Sequence, residues 1–286
     1  MDEKKFKIVV TGANGFVGTN LRKLLAAKKI QAVSLARKNH KRFKSEKNVI
    51  FSDLASKDLA SKLASCDALV HLIGTGAQTA YIDYQSVNVD QTKKIIMLCK
   101  KAKIKKIVYI SGLGVSKSTT FGYFISKLKA EQEITNSGLD YTILRASYII
   151  GKNDPLTKNL LKQAKRGYIV IPGSGSYRLQ PISVDDVSKI ILRCIVSKKL
   201  SNQIVDLVGP KTISFEKFVK QFAREKRIKI QKTSLENAYS EALHSPKKAI
   251  YGLDDLNILL GDFTSSHKKL EMLCGLKLRT IGQLPF

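Results

Sequence analysis

A short β-branched run at residues 7–11 leads directly into Thr11-Gly12-Ala13-Asn14-Gly15-Phe16-Val17-Gly18, and helical periodicity follows over residues 16–27. Three glycines at this spacing, between a strand and a helix, allow a tight turn, a close approach of backbone to a bound group, and close helix–strand packing. The first turn of a helix has unpaired N–H groups and positive potential, so it suits a phosphate. A glycine triplet alone would say little. Its position between strand and helix, near the start of the chain, makes it specific. It reads as the diphosphate cradle of a dinucleotide, formed by Gly12, Asn14, Gly15, Phe16, Val17 and Gly18.

The segments that follow alternate in period. Strand signals fall at 30–35, 48–52, 68–73, 106–110 and 141–144, with helical patterns at 57–64, 83–102 and 121–136 between them. The continuous apolar run at 68–73 suits a strand covered on both faces. Such alternation implies βαβ units, and right-handed crossovers then favour an α/β fold with a Rossmann-type, doubly wound parallel sheet. Past Gly151 the pattern loosens. A helix is expected at 156–165 and another at 184–197, capped by Ser183 or Asp185, with a late strand at 203–208. The expected organisation is a Rossmann core over 1–150, with 181–209 returning to it. Residues 151–180 and 210–286 would then form a small mixed C-terminal substrate lobe.

Composition narrows the function classes. The chain has 286 residues and is 43% hydrophobic, enough for a sizeable core. No apolar run reaches the ~18 residues of a membrane span. The charged first residues followed by an early strand do not resemble a signal peptide, so the expected location is cytoplasmic. Cys66, Cys99, Cys194 and Cys274 are widely separated and each lies in or beside an apolar run, which reads as buried thiols. His40, His71, His244 and His267 lack metal-ligand spacing, so no metal is expected. The net charge is +27, from 50 Lys and Arg against 23 Asp and Glu. The lysines are scattered and no nucleic-acid motif accompanies them, so the reading is a lysine-rich solvated surface rather than a nucleic-acid footprint.

Thr-Gly-x-x-Gly-x-x-Gly resembles the cofactor turn of the extended and atypical short-chain dehydrogenase/reductases. The resemblance continues through Asp53-Leu54, residues 67–72, Asn88-Val89-Asp90, Ser111, Tyr123/Lys127, residues 140–145, Gln180-Pro181 and residues 184–187, covering about residues 6–225. It is nearest to the subgroup holding the nucleotide-binding accessory subunit of respiratory complex I and NmrA-like regulators. The resemblance implies that Asp53 accepts from the adenine amino group with Leu54 beside it, and that Ile73, Gly74 and Thr75 border the adenosine and ribose. NAD-binding relatives place an acid at the end of the second strand. This chain has Arg37 and Lys38 there, cations suited to a 2′-phosphate, so NADP(H) is expected over NAD(H).

Tyr123 and Lys127 fit Tyr-x-x-x-Lys, one helical turn apart on a shared face. A phenol with a pKa of about 10 exchanges protons poorly near neutrality. A neighbouring ammonium, together with the positive charge of the nicotinamide, would favour its phenolate, and Lys127 would also bond the coenzyme ribose. In the family, Ser111 polarises the substrate oxygen. Tyr148 is a candidate pocket residue. Arg178 stands where epimerases carry a diphosphate-binding arginine, although its register also suits a surface arginine. Asn88 reads as structural, and Asp185 and Asp186 as a helix cap tied to the sheet. Sequence here departs from the family in Leu144-Arg145-Ala146, where the third residue is usually proline, and in a short Ser/Thr-rich loop at 112–122.

The first functional expectation is an NADP(H)-dependent oxidoreductase acting on a small carbonyl, alcohol or sugar-like substrate. Epimerase or dehydratase chemistry is open within the same class. The alternative is a non-catalytic coenzyme-binding accessory subunit, redox sensor or assembly factor with a protein complex as partner. Relatives dimerise through the helices at 83–102 and 121–136. Lysines on the first of these leave monomer and homodimer both open.

Overall fold

The computed structural model describes residues 3–280, apart from the side chains of Lys4, Glu225 and Lys226. Strand β1 (Lys7–Thr11) leads into helix α1 (Phe16–Ala27), and β2 (Gln31–Ala36) and β3 (Glu46–Ile50) follow. Next come α2 (Lys57–Leu63), β4 (Ala68–His71) and a π-helical segment (Gln85–Asp90) that runs into α3 (Gln91–Lys101). The first half closes with β5 (Lys106–Gly112), α4 (Gly122–Thr135) and β6 (Asp140–Ala146). Beyond it lie β7 (Ile149–Ile150), α5 (Pro155–Ala164), β8 (Tyr168–Pro172), β9 (Arg178–Leu179), β10 (Ile182–Ser183), α6 (Val184–Val196) and β11 (Gln203–Leu207). The remainder is β12 (Ile213–Ser214), α7 (Phe215–Lys226), β13 (Lys229–Thr233), α8 (Leu235–His244), α9 (Leu253–Leu260) and α10 (Lys268–Cys274).

Seven strands form one sheet in the order β11-β6-β5-β4-β1-β2-β3. All six pairings are parallel. Strand order reverses between β1 and β4, where an open α/β sheet leaves a crevice at its carboxyl ends. Alternation along β1 divides the core. Ile8 and Val10 pack with Leu21 and Leu25 of α1 and Ile190 and Ile191 of α6, whereas Val9 faces Ile95 and Cys99 of α3. Burying each such side chain is worth about 1.5–3 kcal/mol. Both faces are therefore covered, as the doubly wound reading requires. All four cysteines are buried and unpaired.

A third cluster, with Leu160, Ile171, Phe215, Phe218, Phe222 and Leu256, forms the core of the lobe. Two expectations change here. Residues past 210 do not all belong to the lobe: Leu270, Cys274 and Leu278 pack into the cluster of α1 and α6. Their charged neighbours in sequence hide this apolar stripe. Asp185 and Asp186 do not cap α6, because the Ser183 hydroxyl accepts from the Asp185 N–H at 3.2 Å. They hold the C-terminal segment instead: Asp186 accepts from the Arg279 backbone and Asp185 from its guanidinium, both at 2.8 Å. No helix among the described residues is long and apolar enough to cross a membrane.

His71, at the end of β4, joins four elements. Its Nδ1 lies 3.2 Å from Thr11 Oγ1, its Nε2 lies 3.0 Å from Thr92 Oγ1, and its ring stacks on Tyr109 with centroids 5.3 Å apart. Burial, reinforced by the charge of Lys127, lowers its pKa to about 3. The folded protein therefore keeps the ring neutral, while the unfolded chain takes up a proton near its ordinary value of about 6.5. This contribution to stability is whole above that value and drains away as pH falls toward 3. Urea unfolding at pH 7 and pH 5 checks the point. His71→Gln should remove up to about 1.4 kcal/mol per pH unit of the slope, one proton's worth; an unaltered slope would contradict it.

Candidate active site

The glycine turn is built by close contact. Gly12 has φ +61°, and a Cβ there would meet the Leu72 carbonyl oxygen at 2.7 Å. Gly15 donates its N–H to the Gly12 carbonyl at 2.9 Å and begins α1 without a side-chain cap or a first-turn acid. A Cβ on Gly18 would collide with the Gly12 carbonyl oxygen. The N-terminus of α1 therefore lies directly on the turn with its N–H groups uncapped by any side chain. Arg22, which sequence reasoning missed, locks this arrangement. Its Nη1 donates to the Ala13 carbonyl at 3.0 Å, its Nη2 to Lys41 O at 2.6 Å and to Glu46 at 3.0 Å, and its Nε pairs with the same carboxylate. Burial pushes the Glu46 carboxyl up, but the bonds from Arg22 and the Phe43 N–H outweigh it and hold the group below its usual range. Residues 24 apart in sequence give no local signal of such a pair.

A cavity of about 520 Å³ opens at the carboxyl ends of the strands. Gly12, Gly15, Phe16, Val17 and Gly18 line one side of it, Ile73, Gly74 and Thr75 another, and Ser111, Tyr123, Lys127 and Tyr148 also face it. Asn14, Arg37, Lys38, Asp53 and Leu54 do not line it. Asn14 is exposed beside the turn, and Arg37 and Lys38 are exposed just past β2. The Asp53 carboxylate is also exposed, accepts from the Ala55 N–H at 3.1 Å and lies 3.6 Å from Lys94. Leu54 is core. Arg178 lines a smaller adjoining cavity of about 130 Å³ and pairs with Asp262 at 2.8 Å.

Lys127 is buried on α4. Its Nζ donates to the Tyr109 hydroxyl at 3.1 Å and to the Ile110 carbonyl at 3.2 Å, and lies 5.9 Å from the Tyr123 ring centroid. Burial lowers its pKa to about 8 against an opposing pull from Glu131, while burial pushes Tyr123 up to about 12. Lys127 is bonded to Tyr109, and Tyr123 stays a phenol able to donate a proton. Tyr109 escaped notice because a tyrosine inside an apolar strand reads as core. Its two-residue offset from Ser111, which puts both on one face of β5, was the available signal.

The Ser111 hydroxyl is one of two buried side-chain polar atoms without a hydrogen-bond partner among the described residues. An orphaned hydroxyl is costly, and one beside a cavity calls for a ligand. Asn88 supports the site from behind, as its structural reading anticipated. It accepts from the Thr75 N–H at 2.8 Å and donates to the Ser126 hydroxyl at 2.9 Å, which in turn donates to the Tyr123 carbonyl at 2.7 Å.

These features match known proteins. The chain belongs to the NAD(P)H-binding family, whose model matches residues 12–198. The resemblance to the short-chain dehydrogenase/reductases is thereby borne out. A Bacillus subtilis (strain 168) protein named "uncharacterized sugar epimerase YhfK" is 26% identical over 212 residues, 70% of this chain and 93% of that protein. The mitochondrial NADH dehydrogenase ubiquinone 1 alpha subcomplex subunit 9 of Arabidopsis thaliana is 24% identical over 227 residues, 73% of this chain and 56% of that protein. In fold, the solved structure of MoeE5 with UDP-glucuronic acid and NAD matches with a TM-score of 0.76 at 19% identity, over 96% of this chain and 94% of its own. A nucleoside-diphosphate-sugar epimerase from Staphylococcus aureus matches with a TM-score of 0.75 at 16% identity, over 96% and 98%.

Because a Cβ at position 18 has no room, Gly18→Ala should weaken NAD(P)H binding at least tenfold in a calorimetric titration. It should also lower the urea midpoint. Wild-type affinity in this variant would mean that the turn does not hold the coenzyme.

Proposed function

We propose that the protein is an NADP(H)-dependent oxidoreductase of the short-chain type, acting on a small carbonyl or alcohol. The observation that carries this reading is the unpartnered Ser111 hydroxyl in one cavity with Tyr123, Lys127 and the glycine turn. The cradle fits a dinucleotide: the Gly12 and Gly18 positions leave no room for a Cβ, and the α1 N–H groups have no side-chain cap. Residues 12–18 would hold the diphosphate, Ile73 to Thr75 the adenosine side, and Lys127 the nicotinamide ribose. Bound coenzyme supplies or accepts a hydride. Ser111 donates a hydrogen bond to the substrate oxygen and polarises it. Tyr123, held as a phenol by burial, gives its proton to that oxygen as the carbon is reduced. Lys127 then favours the transient phenolate electrostatically.

The preference for NADP(H) rests on Arg37 and Lys38, exposed past β2 where NAD-binding relatives carry an acid. The likeness to YhfK keeps epimerase chemistry as a neighbouring possibility on the same three side chains. A second reading, a non-catalytic coenzyme-binding subunit, draws on the likeness to the Arabidopsis complex I subunit and on the net charge of +27. A stable large partner on purification, together with no turnover of any carbonyl, would favour it.

Three measurements test the proposal. Tyr123→Phe should cut carbonyl-dependent NADPH consumption by 100-fold or more and leave the NADPH Kd within about twofold. Equal losses in both would place Tyr123 in binding alone. NADPH should bind at least tenfold tighter than NADH, and Arg37→Ala should erase most of that gap; equal affinities in the wild type would refute the coenzyme choice. Lys127 loses its charge at a lower pH than a free lysine, so the reductive rate should hold below about pH 8 and fall above it. A rate that rises through pH 8 would contradict the role of its ammonium.

A further inference from the structure

We propose that the smaller cavity beside Tyr123 takes a small, uncharged aromatic carbonyl compound or its alcohol, and that the site excludes nucleotide sugars; this rests on the reading of Tyr123 as proton donor. The cavity, about 130 Å³, shares Tyr123, Ala146, Ser147, Tyr148 and Ile258 with the coenzyme cavity, so the two adjoin at these residues. Its far wall is Leu113, Phe124 and Phe263. This wall is firmly set. Phe263 packs edge-on to Phe124 with centroids 4.9 Å apart, and it lies so close to Gly114, at φ +107°, that a Cβ there would meet its ring at 2.7 Å. Tyr123 packs edge-on to the other side of Phe124, with centroids 5.0 Å apart. An apolar cavity of roughly 150 Å³ holds benzene; at about 130 Å³ this one is somewhat smaller, so a single ring is the largest group it takes, with its polar substituent toward Tyr123, which both cavities share, and Ser111 of the coenzyme cavity.

Charge decides against a larger anionic substrate. Among the described residues lining either cavity, the cations are Lys127 and Arg178. Lys127 is buried on Tyr109 and the Ile110 carbonyl, on the coenzyme side. Arg178 is held by Asp262, which accepts from Nε at 3.1 Å, from Nη2 at 2.8 Å and from the Arg178 backbone N–H. The bidentate edge of its fork therefore already faces a carboxylate, and a diphosphate would have to compete with Asp262 for it. The remaining charge on the lining is Asp255, an anion that repels phosphate. The walls between are largely apolar, with Ile149, Pro155, Leu156, Ile258 and Leu259, and the polar Asn159 and Tyr251 among them already donate to the Ile250 and Val170 carbonyls. The solved neighbours whose complexes contain UDP-sugars thus share this fold without predicting its ligand.

The test uses the full chain loaded with NADPH, with benzyl alcohol and UDP-glucose as probes in separate calorimetric titrations. Alcohol and NADPH are both reduced, so no turnover disturbs the measurement. NADPH uptake is measured first, and its failure sinks the coenzyme reading alone. With coenzyme bound, benzyl alcohol should saturate with a Kd on the order of a millimolar, reasonable for so few atoms, and UDP-glucose should bind at least tenfold more weakly. Tighter UDP-glucose binding, or no benzyl alcohol binding, overturns the proposal. Leu113→Phe, which fills the cavity from the wall away from the coenzyme, should abolish benzyl alcohol binding while NADPH uptake persists. Phe263→Trp gives the same reading should the first variant not fold. Undiminished benzyl alcohol affinity in either folded variant would overturn the assignment of this cavity.

Discussion

The close approach of Gly18 to the Gly12 carbonyl governs where the chemistry can sit. It brings the start of α1 onto the end of β1, beside the point where strand order reverses. The uncapped N–H groups of that helix therefore face the crevice between β1 and β4. Arg22 extends the constraint by fastening the turn to Glu46 and to the loop after β2. One buried guanidinium thus couples the turn to the segment that follows Arg37 and Lys38. A buried ion pair of this kind adds little net stability, but breaking it leaves a charge stranded. Its contribution here is to geometry: it ties the glycine turn to the loop after β2.

The inner end of the crevice is organised around a buried ammonium. Lys127 has two neutral oxygens as hydrogen-bond partners, and burial weakens its hold on the proton. Its field reaches across Tyr109 to His71, which helps to keep that ring neutral. Tyr123 and Ser111 stand in the same cavity, one a phenol whose pKa burial raises further, the other a hydroxyl without a hydrogen-bond partner among the described residues. Ser111, Tyr123 and Lys127 thus set two hydroxyls and an ammonium around one cavity, groups from which an incoming oxygen can accept.

Much of the Rossmann half was legible in the sequence, because period and punctuation agree there. β1 and α1 are read correctly to the residue, and the late strand β11 returns to the sheet as expected. What could not be read depends on distant partners. The apolar stripe of α10 lies among lysines and gives no hint that it docks on α6. Asp185 looks like a cap from position alone, yet Ser183 takes that role and the aspartates reach Arg279, 94 and 93 residues away. Tyr-x-x-x-Lys fixed which helix face would carry the two side chains. It was silent on where Nζ turns, because that depends on Tyr109 from another element. Arg37, Lys38 and Asp53 were read from a pattern of ligand contacts. Their exposed side chains have no strong packing of their own to mark a role.

The most direct test is a crystal structure of the full chain grown with NADPH. The account requires the diphosphate against the N–H groups of residues 15–18, Lys127 bonded to the ribose beside the nicotinamide, and the Tyr123 hydroxyl facing that ring across the smaller cavity. A coenzyme seated elsewhere, or a nicotinamide turned away from Tyr123 and Ser111, would contradict it.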